Sequence, residues 1–84
     1  MIKIAREFLA HPHGQHYGFE LTRSAHVFGG TLYPLLGRWL AAGWLTDGWE
    51  DPAVTVGRPP RRYYQLTDSG RAALTAMITE RTKR

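Results

Sequence analysis

Gly30-Thr31-Leu32-Tyr33-Pro34-Leu35-Leu36-Gly37-Arg38-Trp39-Leu40-Ala41-Ala42-Gly43 decides the fold of this 84-residue chain. Leu32, Leu36 and Trp39 recur at helical spacing, so the stretch reads as one helix with an apolar face. Thr31 is placed to accept a backbone N–H as the N-cap. Pro34 suits a first turn, where a missing N–H costs no intrahelical bond. Gly43 is the expected stop, because the residue after a helix often needs the left-handed backbone that glycine adopts freely. Phe28-Gly29-Gly30 reads as the turn leading in.

Working outward, a shorter helix is expected from about Gly18 to Ser24, with Phe19 and Leu21 or Thr22 inward and Arg23 outward. Before it, His11-Pro12-His13-Gly14-Gln15-His16 carries the breakers of a loop. From Ile2 to Ala10, the spacing of Ile4, Ala5, Phe8 and Leu9 predicts a first helix. Two short helices, a turn and a longer helix form a helix-turn-helix pattern. On the other side, residues 44–50 and 61–67 are β-rich and read as a hairpin, pairing Leu45 with Leu66, Asp47 with Tyr64 and Trp49 with Arg62. That register sets Arg62 against Trp49 as a cation–π pair. The connecting loop, Asp51 to Pro60, is longer than hairpin loops usually are, basic and stiffened by proline. Thr67 or Asp68 can cap a last helix with Leu74, Met77, Ile78 and Arg81 on one stripe. The expected fold is mainly α with a β-hairpin wing, a winged helix-turn-helix in the order helix, helix, helix, strand, strand, helix. Residues 1–84 are expected to form one domain, with the helix-turn-helix at about 18–42, the wing at about 44–67 and the C-terminal helix at about 68–82.

Composition narrows the function. Hydrophobic residues make up 43% of the chain, with three Trp, four Tyr and three Phe, too much apolar bulk for a disordered tail. The net charge of +4 and the pI near 10.0 favour a polyanionic partner. With no cysteine there is neither a disulfide framework nor a thiolate metal site. Apolar runs fall far short of the roughly 20 residues a membrane span needs. Lys3, Arg6 and Glu7 interrupt the place of a signal segment, so a cytoplasmic protein is expected. His11, His13 and His16 lie close together but lack an accompanying carboxylate or thiolate, so neither metal nor cofactor is expected. Ser24 and Ser69 have no evident base, and Gly29-Gly30 is too short to cradle phosphate, so an enzyme is not expected.

Gly30 to Leu36 with the later Gly43, the run Gly57-Arg58-Pro59-Pro60-Arg61-Arg62-Tyr63-Tyr64-Gln65-Leu66-Thr67, and Gly70-Arg71 together resemble the PadR family, named for a regulator of phenolic acid metabolism. Gly18-Phe19-Glu20 is similar to that family's Gly-Tyr-Glu at the start of helix two. The resemblance runs from about residue 8 to 74. It implies a winged helix-turn-helix transcription factor, commonly a repressor, binding palindromic operators as a homodimer. It also implies that the start of helix three enters the major groove while the wing approaches the backbone or minor groove.

The residues themselves support that assignment. The start of the second motif helix is where such proteins read base edges, and its free N–H groups favour phosphate. Gly30, Thr31, Tyr33, Pro34 and Arg38 are therefore the expected groove residues, and Arg58, Arg61 and Arg62 the wing contacts to double-stranded DNA. Helices one and four, through Ile4, Phe8, Leu74, Met77, Ile78 and Arg81, are the expected homodimer interface. Trp39, Trp44 and Trp49 suit the core, with a small aromatic effector between tryptophans a further option. The alternative function is a winged-helix module used for protein contacts without sequence-specific DNA binding.

Overall fold

The computed structural model describes residues 2–82, and its elements follow the order α1 (Ile2–Ala10), β1 (His16–Tyr17), α2 (Gly18–Ala25), α3 (Gly29–Ala41), β2 (Leu45–Trp49), a short 3-10 turn (Pro52–Val54), β3 (Arg62–Leu66) and α4 (Asp68–Thr82). The molecule is mainly helical with a small antiparallel sheet, the winged helix-turn-helix arrangement.

Helix α1 has the bounds its periodicity predicts and buries Ile4, Ala5 and Phe8. On α2 the buried pair is Leu21 and Ala25, one turn apart. Phe19, expected inward, lies two residues from that stripe and is 42% exposed. Helix α2 ends at His26, which takes the left-handed conformation (φ 55°) usual for glycine. The Val27 N–H then closes back on the Thr22 carbonyl at 3.1 Å, making the tight turn of the motif.

Helix α3 starts three residues earlier than the capping signal suggests. Its N-cap is Phe28, whose carbonyl accepts from Thr31 and Leu32, each at 2.9 Å, and no side chain caps the end. Thr31 is thus the third helical residue and not the cap, and Gly29-Gly30 belong to the helix and not to the turn. Pro34 falls in the second turn, where it cannot donate to the Gly30 carbonyl. The tertiary packing of Leu32, Leu35, Leu36 and Trp39 outweighs the weak local propensity of this end. Gly43 (φ 77°) closes α3 as expected: its N–H bonds Leu40 O at 3.0 Å, and the Trp44 N–H bonds Trp39 O at 2.9 Å, the paired bonds of a Schellman motif.

Strand β3 is the centre of a three-stranded sheet in the order β1-β3-β2. The β2–β3 register pairs Leu45 with Leu66, Asp47 with Tyr64 and Trp49 with Arg62, as the alternation predicts. Strand β1 is an addition, pairing His16 with Tyr64 and Tyr17 with Tyr63 along the other edge of β3. Two residues carry no periodicity, so it is invisible in the sequence. Thr67 caps α4, its hydroxyl accepting from Gly70 N at 3.0 Å while donating to Gly43 O at 2.7 Å. Ser69 donates to the same carbonyl at 3.0 Å, tying the end of α3, the base of the wing and the start of α4 together. Phe8, Ile4, Leu32, Leu36 and Leu74 form the fully buried centre of the core. Trp39 is buried against the Phe8 edge with Trp44 beside it, whereas Trp49 is 68% exposed and outside the core.

Candidate nucleic-acid interface

Helix α3 buries Leu32, Leu35, Leu36 and Trp39 and turns Gly30, Thr31, Pro34, Gly37, Arg38 and Ala41 to solvent. A Cβ built on Gly30 or Gly37 would meet nothing within 4 Å, so this face is low and open. Only Thr31, Pro34 and Arg38 project from it, and Arg38 makes no ion pair among the described residues. A bare helix face with one unpaired cation can approach another molecule closely.

Tyr33, half exposed, lies on a different side. A Cβ on Gly18 would overlap its ring and hydroxyl, and one on Gly29 would come within 3.3 Å of the ring. The two glycines let Tyr33 lie across the starts of α2 and α3. Its edge also lines a groove of about 350 Å³ with Tyr17, Gly18, Phe19, Arg61, Arg62 and Tyr64. Here the uncapped N-terminus of α2 and the wing's basic strand face the same space.

The wing tip is held by local bonds. Asp51 accepts from Ala53 N at 2.9 Å, and Arg58 N closes on Thr55 O at 3.1 Å across a turn that requires Gly57 at φ 90°. The three wing arginines are not equivalent. Arg58 grips Glu50 through two bonds, at 2.7 and 3.1 Å. That grip, with the Arg61 N–H on Glu50 at 2.8 Å, holds the Glu50 carboxyl at about 2 against a usual 4.5. Arg62 pairs with Asp47, its Nε at 2.8 Å. Its guanidinium lies 5.2 Å from the centroid of Tyr64, and not over Trp49 as expected. The cause is in the register itself: Asp47 stands opposite Tyr64, so it is the diagonal neighbour of Arg62. Arg61 has no carboxylate partner among the described residues and sits 4.8 Å from the centre of the Phe19 ring.

The expected dimer residues divide. Ile4, Phe8 and Leu74 are completely buried within the protomer, so no partner can reach them, a correction that follows from their use as core. Met77 and Ile78 are half-buried against the core edge, and Arg81 is exposed. Among the described residues the histidines form no metal-binding group: His16 packs its ring against Phe8 at 4.5 Å, tilted by 49°, and turns its Nε2 to the His11 carbonyl at 3.0 Å. Sequence reasoning missed Phe28, which is 86% exposed, and the acidic partners of Arg58 and Arg62. The diagonal of the hairpin register held the signal for Asp47, while the Glu50 contact depends on the fold of the tip.

A helix-turn-helix with an open α3 face beside a basic wing defines a winged-helix DNA-binding protein. Residues 9–76 match the profile of the transcriptional regulator PadR-like family. The chain belongs to that family, and is a DNA-binding transcriptional regulator and not an enzyme. Among solved structures it is similar to the smu.1704 protein of Streptococcus mutans UA159, with a TM-score of 0.75, 27% identity and coverage of 96% of this chain and 77% of that one. It is also similar to a PadR family transcriptional regulator from Eggerthella lenta DSM 2243, with a TM-score of 0.71, 29% identity and coverage of 93% and 70%. A PadR family transcription regulator from hypervirulent Clostridium difficile R20291 shares the fold at a TM-score of 0.74 and 21% identity, covering 94% and 84%. No curated protein sequence matches. No helix among the described residues is long and apolar enough to cross a membrane.

Proposed function

We propose that this chain is a cytoplasmic repressor that binds a palindromic operator as a homodimer, each 84-residue chain acting as one domain. The observation that carries this reading is the solvent face of α3, bare at Gly30 and Gly37 and flanked by Arg38, which has no ion pair among the described residues. In the major groove, Gly30, Thr31 and Pro34 lie nearest the base edges, with Arg38 on a phosphate or a guanine edge. Tyr33 serves the groove between α2 and the wing, where its hydroxyl meets a phosphate together with Arg61. Arg58 and Arg62 follow the backbone by exchanging a carboxylate for a phosphate oxygen. A surface ion pair is worth about 0–1 kcal/mol, so that exchange is cheap.

Met77, Ile78 and Arg81 on α4 supply the dimer contact, and a two-fold axis sets half-sites about 34 Å apart. Neither cofactor nor metal enters this reading. Trp39 is too deeply buried to clasp an aromatic effector without a change in the core.

Selection from random duplexes, followed by titration on the recovered and a scrambled duplex at several salt concentrations, tests the proposal. Steep salt dependence with a preference for the recovered palindrome is expected. Exposed Phe28, Trp49, Val54 and Val56 favour the second reading, a protein-contact module, and salt-insensitive association without sequence preference would establish it instead.

A further inference from the structure

Phe28 is 86% exposed at the tip of the motif, where a large aromatic side chain gains nothing from the core. It makes no ring contact with another aromatic residue among the described residues. Its backbone is nevertheless fixed, because its carbonyl receives both the Thr31 and the Leu32 N–H at 2.9 Å. A rigidly based ring therefore projects from the leading end of α3, just ahead of Gly29 and Gly30, which add no side chain. Between there and Arg38, roughly 15 Å of helix at 1.5 Å per residue, Thr31 is the one hydrogen-bonding side chain on the bare face, since the half-exposed Tyr33 lies across the starts of α2 and α3 instead. A tip so poor in donors and acceptors cannot distinguish bases mainly by the hydrogen-bond code. The one apolar mark in the major groove is the C5-methyl of thymine, and an aromatic ring is a suitable partner for it.

We infer that Phe28 is a specificity-determining residue, selecting thymine in each half-site by packing its ring on the C5-methyl group. The inference rests on the DNA-reading function proposed above and deepens it by naming the base and the group read. Phosphate contacts from Arg38 and the wing set register, and Phe28 then discriminates at the position the tip reaches.

The test uses the full chain and the duplex it selects from a random pool. Each thymidine of a half-site is replaced in turn by deoxyuridine, which keeps the hydrogen-bond code and removes only the methyl. At one position the affinity should fall about fourfold, equivalent to about 0.8 kcal/mol for one buried methyl at 1.4 kcal/mol per decade. Substituting both half-sites should give about 16-fold by the same arithmetic. Replacing that thymine by cytosine should weaken binding, and 5-methylcytosine should recover about fourfold of the loss. Phe28→Ala, which removes an exposed ring and leaves the core intact, should bind more weakly and lose both methyl effects. Phe28→Leu should retain part of them. A flat deoxyuridine series, or one equally steep in Phe28→Ala, overturns the role of Phe28 while leaving DNA recognition standing. Recovery of no preferred duplex overturns the DNA-reading function and this inference with it.

Discussion

The solvent face of α3 and the wing use opposite means. The helix face is almost bare, with a single cation, Arg38, that no carboxylate holds among the described residues. The wing carries three arginines within five residues, yet Glu50 holds Arg58, Asp47 holds Arg62, and only Arg61 has no acidic partner among the described residues. A count of basic residues therefore overstates the field the wing presents to a polyanion, since a paired arginine contributes mostly a local dipole. The helix is suited to close contact, and in the proposed binding mode the wing undergoes a charge exchange in which phosphate replaces carboxylate.

The largest effect should come from detaching the wing. Gly70, in the first turn of α4, lies against the Trp44 backbone, and an added Cβ would overlap the Trp44 carbonyl, which cannot rotate away. Gly70→Ala should destabilise the fold by about 3 kcal/mol, as overpacking does, and lower the thermal midpoint measured by circular dichroism. Gly37→Ala on the bare helix face meets nothing within 4 Å, and should raise stability by up to about 1 kcal/mol through helix propensity. If both variants melted like the wild type, the two regions would not differ in how tightly they are held.

An intermediate effect separates the arginines. In the proposed binding mode Arg61→Ala removes one phosphate contact per protomer of the dimer, so the slope of log affinity against log salt should flatten by about 1.8, at about 0.9 per contact. Arg58→Ala should flatten it by less, because Glu50 already neutralises that charge and is left near the DNA without its partner. Equal slopes for the two variants would mean that the ion pair dissolves on DNA at no cost.

Much of this contrast was legible in the sequence, and the rest was hidden for identifiable reasons. The bounds of α1, the β2–β3 register, the Gly43 stop and the Thr67 cap each follow from a local rule that the surrounding packing does not oppose. The start of α3 was hidden because Phe28 caps nothing through its side chain, so the polar Thr31 carried the stronger signal. Hydrophobicity alone points Phe19 inward, but Leu21 and Ala25 set the buried stripe of so short a helix. Ile4, Phe8 and Leu74 looked like spare apolar surface, but an 84-residue chain has few large side chains and uses these as its own centre. The pairing of Arg58 with Glu50 crosses the wing tip and has no sequence signature at all.

The smallest effect, and the sharpest probe of the comparison, is Glu50→Gln. The Glu50 carboxyl is held at about 2, chiefly by the Arg58 hydrogen bonds, against an ordinary value of 4.5. A carboxyl depressed on folding stabilises the native state above its unfolded value, and the benefit disappears as pH falls from 4.5 toward 2. Glu50→Gln should therefore melt slightly below the wild type at neutral pH, with the gap closing through that acid window. Binding should move the other way. With the carboxylate gone, Arg58 regains its full charge and the wing carries one anion fewer, so affinity for operator and scrambled duplexes should rise together, a few-fold at low salt and less at high salt. Sequence preference should stay constant, because α3 is untouched. Melting curves between pH 2 and pH 7, with titrations on both duplexes, decide the matter. A variant with unchanged binding but lower stability would make Glu50 a strut of the wing tip, whereas the expected opposite shifts would make it the group that restrains the wing until phosphate displaces it.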